Sequence, residues 1–268
     1  MKILFIGDIS GRPGRETIKS VLPEVQKNIQ PDLIIANCEN AAGGRGITKE
    51  TLNELQGAGI DYFTSGEHVW GIRQFRDDLY DSELPIVRPY NYEQTDTLPG
   101  KGFDVLDLGS KGQIIIGSLI GQTFMREPVR SPFWMFDEMY RELESRDDLD
   151  LETTPFILDF HAEATSEKVT LGNYVKDRVS AVLGTHTHVA TADNRLMGKT
   201  AFVTDVGMVG PLDASLWVEF ESVTHNFKYP YKEQFKMAEE GRRVFNSVVV
   251  EIEGKEAVSI TRFDKVID

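Results

Sequence analysis

Two histidines stand two residues apart in the string GTHTH at residues 184–188, directly after an apolar run. In an extended segment, side chains two residues apart point to the same side of the chain. The imidazoles of His186 and His188 are therefore predicted to face one metal ion or two adjacent ions. The chain has only five histidines, so this pairing is an informative feature.

Other apolar runs also end on side chains that can bind metals. In the α/β class, functional groups gather beyond the carboxyl ends of the strands. Each of these residues alone also fits a plainer role, as a turn cap, a loop residue or a buried core histidine. Their shared position at strand ends favours a metal centre. The candidates at these ends are Asp8, Glu39, Asn40, Glu67, His68 and His161.

The ligand types predict two metal ions. Three imidazoles, two or three carboxylates and an amide exceed what one four- to six-coordinate ion would use. A carboxylate such as Glu39 can bridge two ions about 3.5–4 Å apart, the usual arrangement for phosphoester hydrolysis by metal-bound hydroxide. Nitrogen and oxygen ligands without a thiolate favour manganese, iron or zinc.

His68 could donate the proton that the leaving alkoxide needs. At a strand-to-helix turn its imidazole can lean over the metals, and an unperturbed pKa of about 6.5 suits proton transfer near pH 7. A role as a hydrogen-bonding partner of a ligand stays open.

Strands and helices alternate along much of the chain. Continuous apolar strands alternating with amphipathic helices indicate a largely parallel sheet covered on both faces. We find no internal repeat or linker, and we expect one domain over residues 1–268. Predicted strands lie at 2–6, 32–38, 62–64, 85–88, 103–108, 113–119, 156–160, 180–184, 200–204, 244–252 and 256–263. Predicted helices lie at 15–28, from 48 to either 57 or 59, and at 71–80, 137–146 and 167–177, and 121–133 is a predicted loop.

Composition narrows the function classes. A net charge of −14 argues against binding long nucleic acid, which needs a basic face. No apolar stretch is long enough for a membrane span, and the short apolar start is better interpreted as a first strand than as a signal peptide.

The single cysteine, Cys38, fits a reducing cytoplasm. Its thiol is either a ligand or nucleophile, or a small buried residue at a strand end.

Several longer motifs make the sequence resemble a known family. In order along the chain, the ligand strings resemble the motifs of calcineurin-like metallophosphoesterases. More narrowly, the sequence resembles the bacterial 2′,3′-cyclic-nucleotide phosphodiesterase family, over residues 1 to about 263. The strings that carry this resemblance are NCENAA at 37–42, DFHAEATSEK at 159–168, GTHTHVATAD at 184–193 and TDVGMVGP at 204–211.

The resemblance implies a layered α/β fold with central mixed β-sheets flanked by helices, and a role for each candidate residue. His68 would be the proton donor. Iron or manganese would be the metals, and the reaction would open a 2′,3′-cyclic nucleotide at its 2′ bond to leave the 3′-phosphate. One metal would be held by Asp8, Glu39, Asn40 and His188. The other would be held by Glu39, Glu67, His161 and His186, with Glu39 bridging.

Glu67 departs from the family pattern, which has Asn at this position. Glutamate is one methylene longer and adds a negative charge beside an anionic substrate. Two alternatives therefore stay open. One is a phosphodiesterase or phosphomonoesterase of broader specificity, and the other is a metal-binding regulatory protein whose catalysis Glu67 has weakened. The physiological substrate and the oligomeric state are not specified by the sequence, which is compatible with a homo-oligomer.

A few other residues could contact the substrate, and each also fits an ordinary structural role. Arg12 could contact the phosphate or be a solvated loop residue. The glycine-rich loop at 43–46 could admit substrate to the backbone, and Thr187 could bond a phosphate oxygen. The aromatic side chains near 121–136 could stack on a base or serve packing; they are Phe124, Phe133, Trp134 and Phe136.

Overall fold

The computed structural model of the protein describes residues 1–95 and 97–268. Two β-sheets pack face to face at its centre, and helices cover the outer face of each sheet. The predicted layered α/β class, with central mixed sheets flanked by helices, is therefore confirmed. Within the described ranges, no helix is both long and apolar enough to cross a bilayer.

The strands supply seven members to the first sheet and six to the second. In chain order they are β1 (Lys2–Ile6), β2 (Asp8–Ile9), β3 (Leu33–Asn37), β4 (Tyr62–Thr64), β5 (Phe103–Asp107), β6 (Gln113–Ile120), β7 (Phe156–His161), β8 (Ala181–Thr185), β9 (Arg195–Met197), β10 (Thr200–Val203), β11 (Met208–Pro211), β12 (Arg243–Glu253) and β13 (Glu256–Ile267).

The first sheet has the order β2-β11-β12-β1-β3-β4, and β13 pairs with β12. In it, β3 runs parallel to both β1 and β4, while β12 and β13 form the predicted antiparallel pair. The second sheet has the order β5-β6-β7-β8-β10-β9, with parallel strands in the middle and an antiparallel strand at each edge. The expectation of one largely parallel sheet was wrong in this respect.

The longer helices lie outside these sheets. They are α1 (Gly11–Ile29), α2 (Lys49–Gly57), α3 (Arg73–Asp78), α4 (Pro132–Glu144), α5 (Thr165–Val175) and α6 (Phe220–Lys228). Short 3₁₀-helices lie at Glu67–Trp70 and Gly109–Lys111.

Alternation of side chains along each strand divides the core into three layers. On β1, Leu4 and Ile6 face α1 and α2, whereas Ile3 and Phe5 face the second sheet. This is the period of two expected for a strand that is buried on both faces. A third apolar layer joins the other face of the second sheet to α4 and α5.

Several predicted boundaries were wrong for local reasons. The residues around Pro13 belong to α1 rather than to a loop, because proline is tolerated in the first helical turn. Helix α4 begins at Pro132, so the preceding loop is shorter than predicted. The strand predicted at 85–88 forms only single bridges. The short strands β2, β9 and β11 and the helix α6 were missed.

Candidate metal centre

The carboxyl ends of strands from both sheets meet at one edge of the sandwich. Asp8 lies just after β1, and Glu39 and Asn40 lie just after β3. From the second sheet, His161 ends β7 and the GTHTH string ends β8. A site between two sheets has ligands from opposite sides, which a single sheet could not supply.

Four of the predicted ligands form a compact group. One nitrogen or oxygen atom from each of Glu39, Glu67, His161 and His186 lies within 4.8 Å of the others. His161 Nε2 is 3.0 Å from Glu67 Oε2 and 3.2 Å from Glu39 Oε2. It is also 3.0 Å from His186 Nδ1. Two imidazole nitrogens and two carboxylates therefore converge on one point.

The other nitrogen of His161 explains how its ring is oriented. Nδ1 lies 2.8 Å from the Thr185 hydroxyl oxygen, and that hydroxyl donates to Asp159 Oδ1 at 2.7 Å. Since the hydroxyl hydrogen is used by Asp159, its oxygen accepts from Nδ1–H. The lone pair of Nε2 is therefore directed to the ligand group, as expected for a metal-ligating histidine held by a hydrogen bond on its far nitrogen.

Asp8, Asn40 and His188 form an adjoining group. His188 Nε2 lies 3.1 Å from Asn40 Nδ2 and 3.9 Å from Asp8 Oδ1. Glu39 lies between the two groups, because its Oε1 accepts from Asn40 Nδ2 while its Oε2 faces His161. The fold therefore places all seven predicted ligands in two neighbouring groups that share the carboxylate of Glu39.

The donor set fits a bound cation. Among the described residues, the buried atoms Asp8 Oδ1 and Glu67 Oε2 have no hydrogen-bond partner, and such atoms are costly unless another ligand satisfies them. At Gly66, a β-carbon would lie 2.1 Å from Glu39 Oε2. Only glycine lets the backbone pass this close to the group.

Burial and charge act against each other in this pocket. Burial raises the pKa of Asp8 well above its ordinary value. Burial by itself lowers the pKa of His161, but the charges of Glu39 and Glu67 outweigh it and raise that pKa well above the usual range. Buried carboxylates thus favour a positive charge at His161, and a metal cation at Nε2 would supply that charge in place of a proton.

His68 lies at the edge of this site, on the 3₁₀-helix Glu67–Trp70. Its Nδ1 is 2.7 Å from Asn40 Oδ1 and 3.2 Å from Glu39 Oε1. Burial lowers the pKa of His68, but the hydrogen bond and charge of Glu39 raise it overall. Because Nδ1–H is used by Asn40, Nε2 is the nitrogen available to a substrate.

The turn that carries His186 and His188 is not extended. Strand β8 ends at Thr185, and the two histidines have φ of +98° and +64°. The prediction that a strand pleat aligns the two imidazoles was therefore wrong. Such φ values cost about 1–3 kcal/mol each in a residue other than glycine, so other contacts must hold this turn.

A buried ion pair supports the turn that carries His186 and His188. Lys168 Nζ lies 2.8 Å from Asp205 Oδ2, and both side chains are at most 1% exposed. Lys168 Nζ also donates to the Thr185 carbonyl at 2.7 Å. Asp205 Oδ2 accepts from both the backbone N–H and the hydroxyl of Thr187. The turn thus has its polar groups fixed by residues of α5 and the segment after β10.

Lys168 and Asp205 are residues to which the sequence assigned no role, although both lie in the quoted strings. A lysine on the buried face of α5, beside Leu171 and Val175, is the signal that could have revealed the pair, because lysine is almost never fully buried unless it is paired. Glu163 was also missed. Its carboxylate lies 3.2 Å from His186 Nε2.

The structure also shows the contacts of the residues for which the sequence left two roles open. Arg12 forms ion pairs with Glu239 and Glu16. Thr187 uses its hydroxyl hydrogen on Asp205, and Cys38 is buried with a pKa that burial raises well above its ordinary value. Of the aromatic residues near 121–136, Phe136 is a core residue and Phe133 packs on Tyr174, whereas Trp134 and Phe124 are exposed.

Residues 4–263 match the profile of the YmdB-like protein family. The chain belongs to this family. Among its YmdB-like relatives is the 2′,3′-cyclic-nucleotide 2′-phosphodiesterase of Bacillus subtilis strain 168, which is 42% identical over 98% of this chain and 96% of its own. The family resemblance drawn from the motifs is therefore confirmed.

Two solved structures share this YmdB-like architecture. A hypothetical protein from Thermus thermophilus has a TM-score of 0.88 and 36% identity, with 99% of each chain covered. A protein described as a novel phosphatase from Mycoplasma pneumoniae has a TM-score of 0.90 and 30% identity. The match covers 99% of this chain and 93% of that one.

Proposed function

We propose that this protein is a dinuclear-metal phosphodiesterase that opens 2′,3′-cyclic nucleotides at the 2′ bond to give 3′-nucleotides. The observation that carries the proposal is the pair of ligand groups that share Glu39 in one pocket. The 42% identity to the Bacillus subtilis phosphodiesterase supports the same substrate class. The reaction makes the protein a hydrolase acting on phosphoesters.

The ligand assignment follows the two groups. Glu39, Glu67, His161 and His186 would hold one ion, and their ligand atoms lie within 4.8 Å of one another. Asp8, Asn40 and His188 would hold the second ion together with Glu39. The mixed nitrogen and oxygen ligands favour iron or manganese over magnesium or calcium.

The protein side chains would contribute positioning and proton transfer. When bound, the two ions supply positive charge to the phosphoryl oxygens and lower the pKa of water. His68 Nε2 would deliver a proton to the leaving 2′ oxygen, while Asn40 holds Nδ1 at 2.7 Å. The phosphorus would lie between the two groups, to which both sheets contribute ligands.

A substrate and metal panel tests the proposal. The purified chain would be assayed with 2′,3′-cyclic AMP, 3′,5′-cyclic AMP and 3′-AMP, each in the presence of Mn²⁺, Fe²⁺ or Zn²⁺. We expect turnover of 2′,3′-cyclic AMP to 3′-AMP with Mn²⁺ or Fe²⁺. Turnover of all substrates would favour a broader phosphoesterase. Metal binding without turnover of any would favour the regulatory alternative and contradict the proposal.

We also propose a location, a domain count and a size of substrate for this protein. A cytoplasmic location is proposed because the single cysteine, Cys38, suits a reducing compartment. A single domain over residues 1–268 is proposed because helices and strands from along the chain share the two-sheet sandwich. A small phosphodiester is the proposed substrate, since a net charge of −14 argues against binding a long nucleic acid.

A further inference from the structure

Two cavities border the ligand groups, and both are lined by His68 and His186. The larger has a volume of about 610 Å³ and is bounded by Glu67, His68 and His186 together with Arg45, Phe124 and Arg126. The smaller, of about 280 Å³, extends toward Leu216 and Trp217. Small-molecule pockets usually have about 300–1,000 Å³, so the larger cavity suits a nucleoside and the smaller one does not.

Two arginines at the larger cavity have no partner among the residues that the structure describes. Within the described ranges, the side chains of Arg45 and Arg126 form neither a hydrogen bond nor an ion pair, although the chain has 43 acidic residues. Arginine side chains elsewhere in this acidic chain commonly pair, as Arg12 and Arg178 do. A guanidinium is suited to bind phosphate oxygens, and both arginines line the larger cavity, which borders Glu67 and His186 of the ligand groups.

Phe124 has a conformation that folding does not explain. Its φ is +67°, which is unfavourable for a bulky residue, and its side chain is 83% exposed. The exposed ring gains little from burial, so the unfavourable backbone is not offset by packing. Unfavourable backbone geometry of this kind is often found at functional sites.

The loop that carries Phe124 is held in place. The Glu167 carboxylate, on α5, accepts the backbone N–H groups of Gln122 and Thr123 at 2.9 Å and 3.0 Å. The Gln122 side chain donates to the Val129 carbonyl at 2.8 Å. The aromatic ring therefore has a supported position at the cavity wall, and it is a suitable surface for a base to stack on.

We propose that the larger cavity is the nucleoside subsite, in which Phe124 stacks on the base while Arg45 and Arg126 pair with the phosphate. This inference rests on the proposed function. The leaving 2′ oxygen belongs to the ribose, so the ribose must lie near His68, which borders this cavity. The base then extends outward toward Phe124, and the phosphate stays beside the ligand groups.

Two substrates separate the stacking contact from the phosphate contacts. Glycerol 1,2-cyclic phosphate has the same five-membered phosphodiester ring as 2′,3′-cyclic AMP but no base. We expect Phe124→Ala to raise KM for 2′,3′-cyclic AMP about tenfold, since stacking on one base changes affinity roughly five- to hundredfold. KM for the glycerol compound should stay unchanged. Arg45→Ala and Arg126→Ala should raise KM for both substrates.

Matched variants control for the loss of an exposed side chain. Arg73 on α3 is also unpaired within the described residues and lies outside both cavities, so Arg73→Ala should change neither KM. Phe227 on α6 is 88% exposed, and Phe227→Ala serves in the same way. Equal KM effects of Phe124→Ala on both substrates, or no effect of the arginine variants, would overturn the subsite.

A binding measurement separates this inference from the proposed function. Calorimetric titration of the Mn²⁺-loaded protein with 3′-AMP needs no turnover. We expect Phe124→Ala and Arg126→Ala each to weaken binding about tenfold relative to Phe227→Ala and Arg73→Ala. If wild type hydrolyses nothing but this pattern holds, the proposed function fails while the subsite stands. Equal binding by all variants overturns the subsite even where the enzyme is active.

Discussion

The floor of the site and its mouth are built in different ways. On the floor, His161, Thr185 and Asp159 lie on buried strands, and each polar atom of their chain of hydrogen bonds has a partner. At the mouth, Arg45 and Phe124 lie on loops, where the guanidinium has no partner in residues 1–95 and 97–268 and the ring is exposed. Under the proposed function, the floor would therefore fix where metals bind, and the mouth would be free to determine which substrate enters.

Breaking the buried ion pair of Lys168 and Asp205, next to the floor, should have the largest effect of the changes that test this comparison. Lys168→Met would leave the Asp205 carboxylate buried without its ammonium partner, which typically costs about 3–5 kcal/mol. We expect a large fall in the melting temperature, and the soluble fraction should bind Mn²⁺ weakly because the His186–His188 turn is released. Differential scanning calorimetry and metal analysis after dialysis measure both effects.

A lysine in an exposed ion pair is the matched control for that change. Lys199 pairs with Glu256 at the surface, where such pairs are worth about 0–1 kcal/mol. Lys199→Met should keep both the melting temperature and the metal content. If Lys168→Met also kept both, the floor would not depend on its buried ion pair.

His68 lies between floor and mouth, and its removal should affect the chemical step. His68→Ala should lower kcat for 2′,3′-cyclic AMP about 10²–10⁴-fold, the usual contribution of a general acid. Metal content should stay near that of wild type, because His68 is outside the two ligand groups. His225 on α6 lines neither cavity, so His225→Ala is the matched control in steady-state kinetics. An unchanged kcat of His68→Ala would remove His68 from catalysis.

Glu67 should have an intermediate effect because it belongs to the floor and faces the mouth. Glu67→Asn removes one negative charge from the group around His161, so we expect Mn²⁺ affinity to fall about tenfold. KM for the anionic substrate should fall, since less negative charge then lies beside it. Glu93→Asn makes the same change at an exposed carboxylate. Identical metal affinity in the two variants would contradict a ligand role for Glu67.

Replacing Arg12 should have the smallest effect on activity. It forms ion pairs with Glu239 and Glu16 away from the larger cavity. Arg12→Ala should change kcat/KM for 2′,3′-cyclic AMP less than about twofold, while Arg126→Ala raises KM. An equal loss in both variants would mean that the mouth extends farther than the cavity that Arg126 lines.

The sequence predicted the ligands better than the architecture that gathers them. Each ligand follows an apolar run, and such runs are local signals that need no tertiary contact to recognise. The division into two sheets depends on which strands pair over long distances, as β6 pairs with β7 across α4. That pairing has no local signal, so the strand pattern by itself indicated one largely parallel sheet, and the expectation of mixed sheets came from the family resemblance.

The GTHTH turn shows the limit in more detail. Its histidines were predicted to reach the site for the wrong reason, an extended backbone. The actual turn depends on Lys168 and Asp205, which are distant in sequence and meet only in the fold. Likewise, Phe124 and Arg126 lie in a loop whose position depends on Glu167, a contact across more than forty residues.

The number of coupled metal ions tests the central claim most directly. The chain, freed of metal by chelation and then titrated with Mn²⁺, would be followed by calorimetry and electron paramagnetic resonance. The shared carboxylate of Glu39 predicts two ions per chain with a spin-coupled spectrum. Binding of one ion per chain, or of two with the spectrum of isolated Mn²⁺, would contradict a dinuclear site.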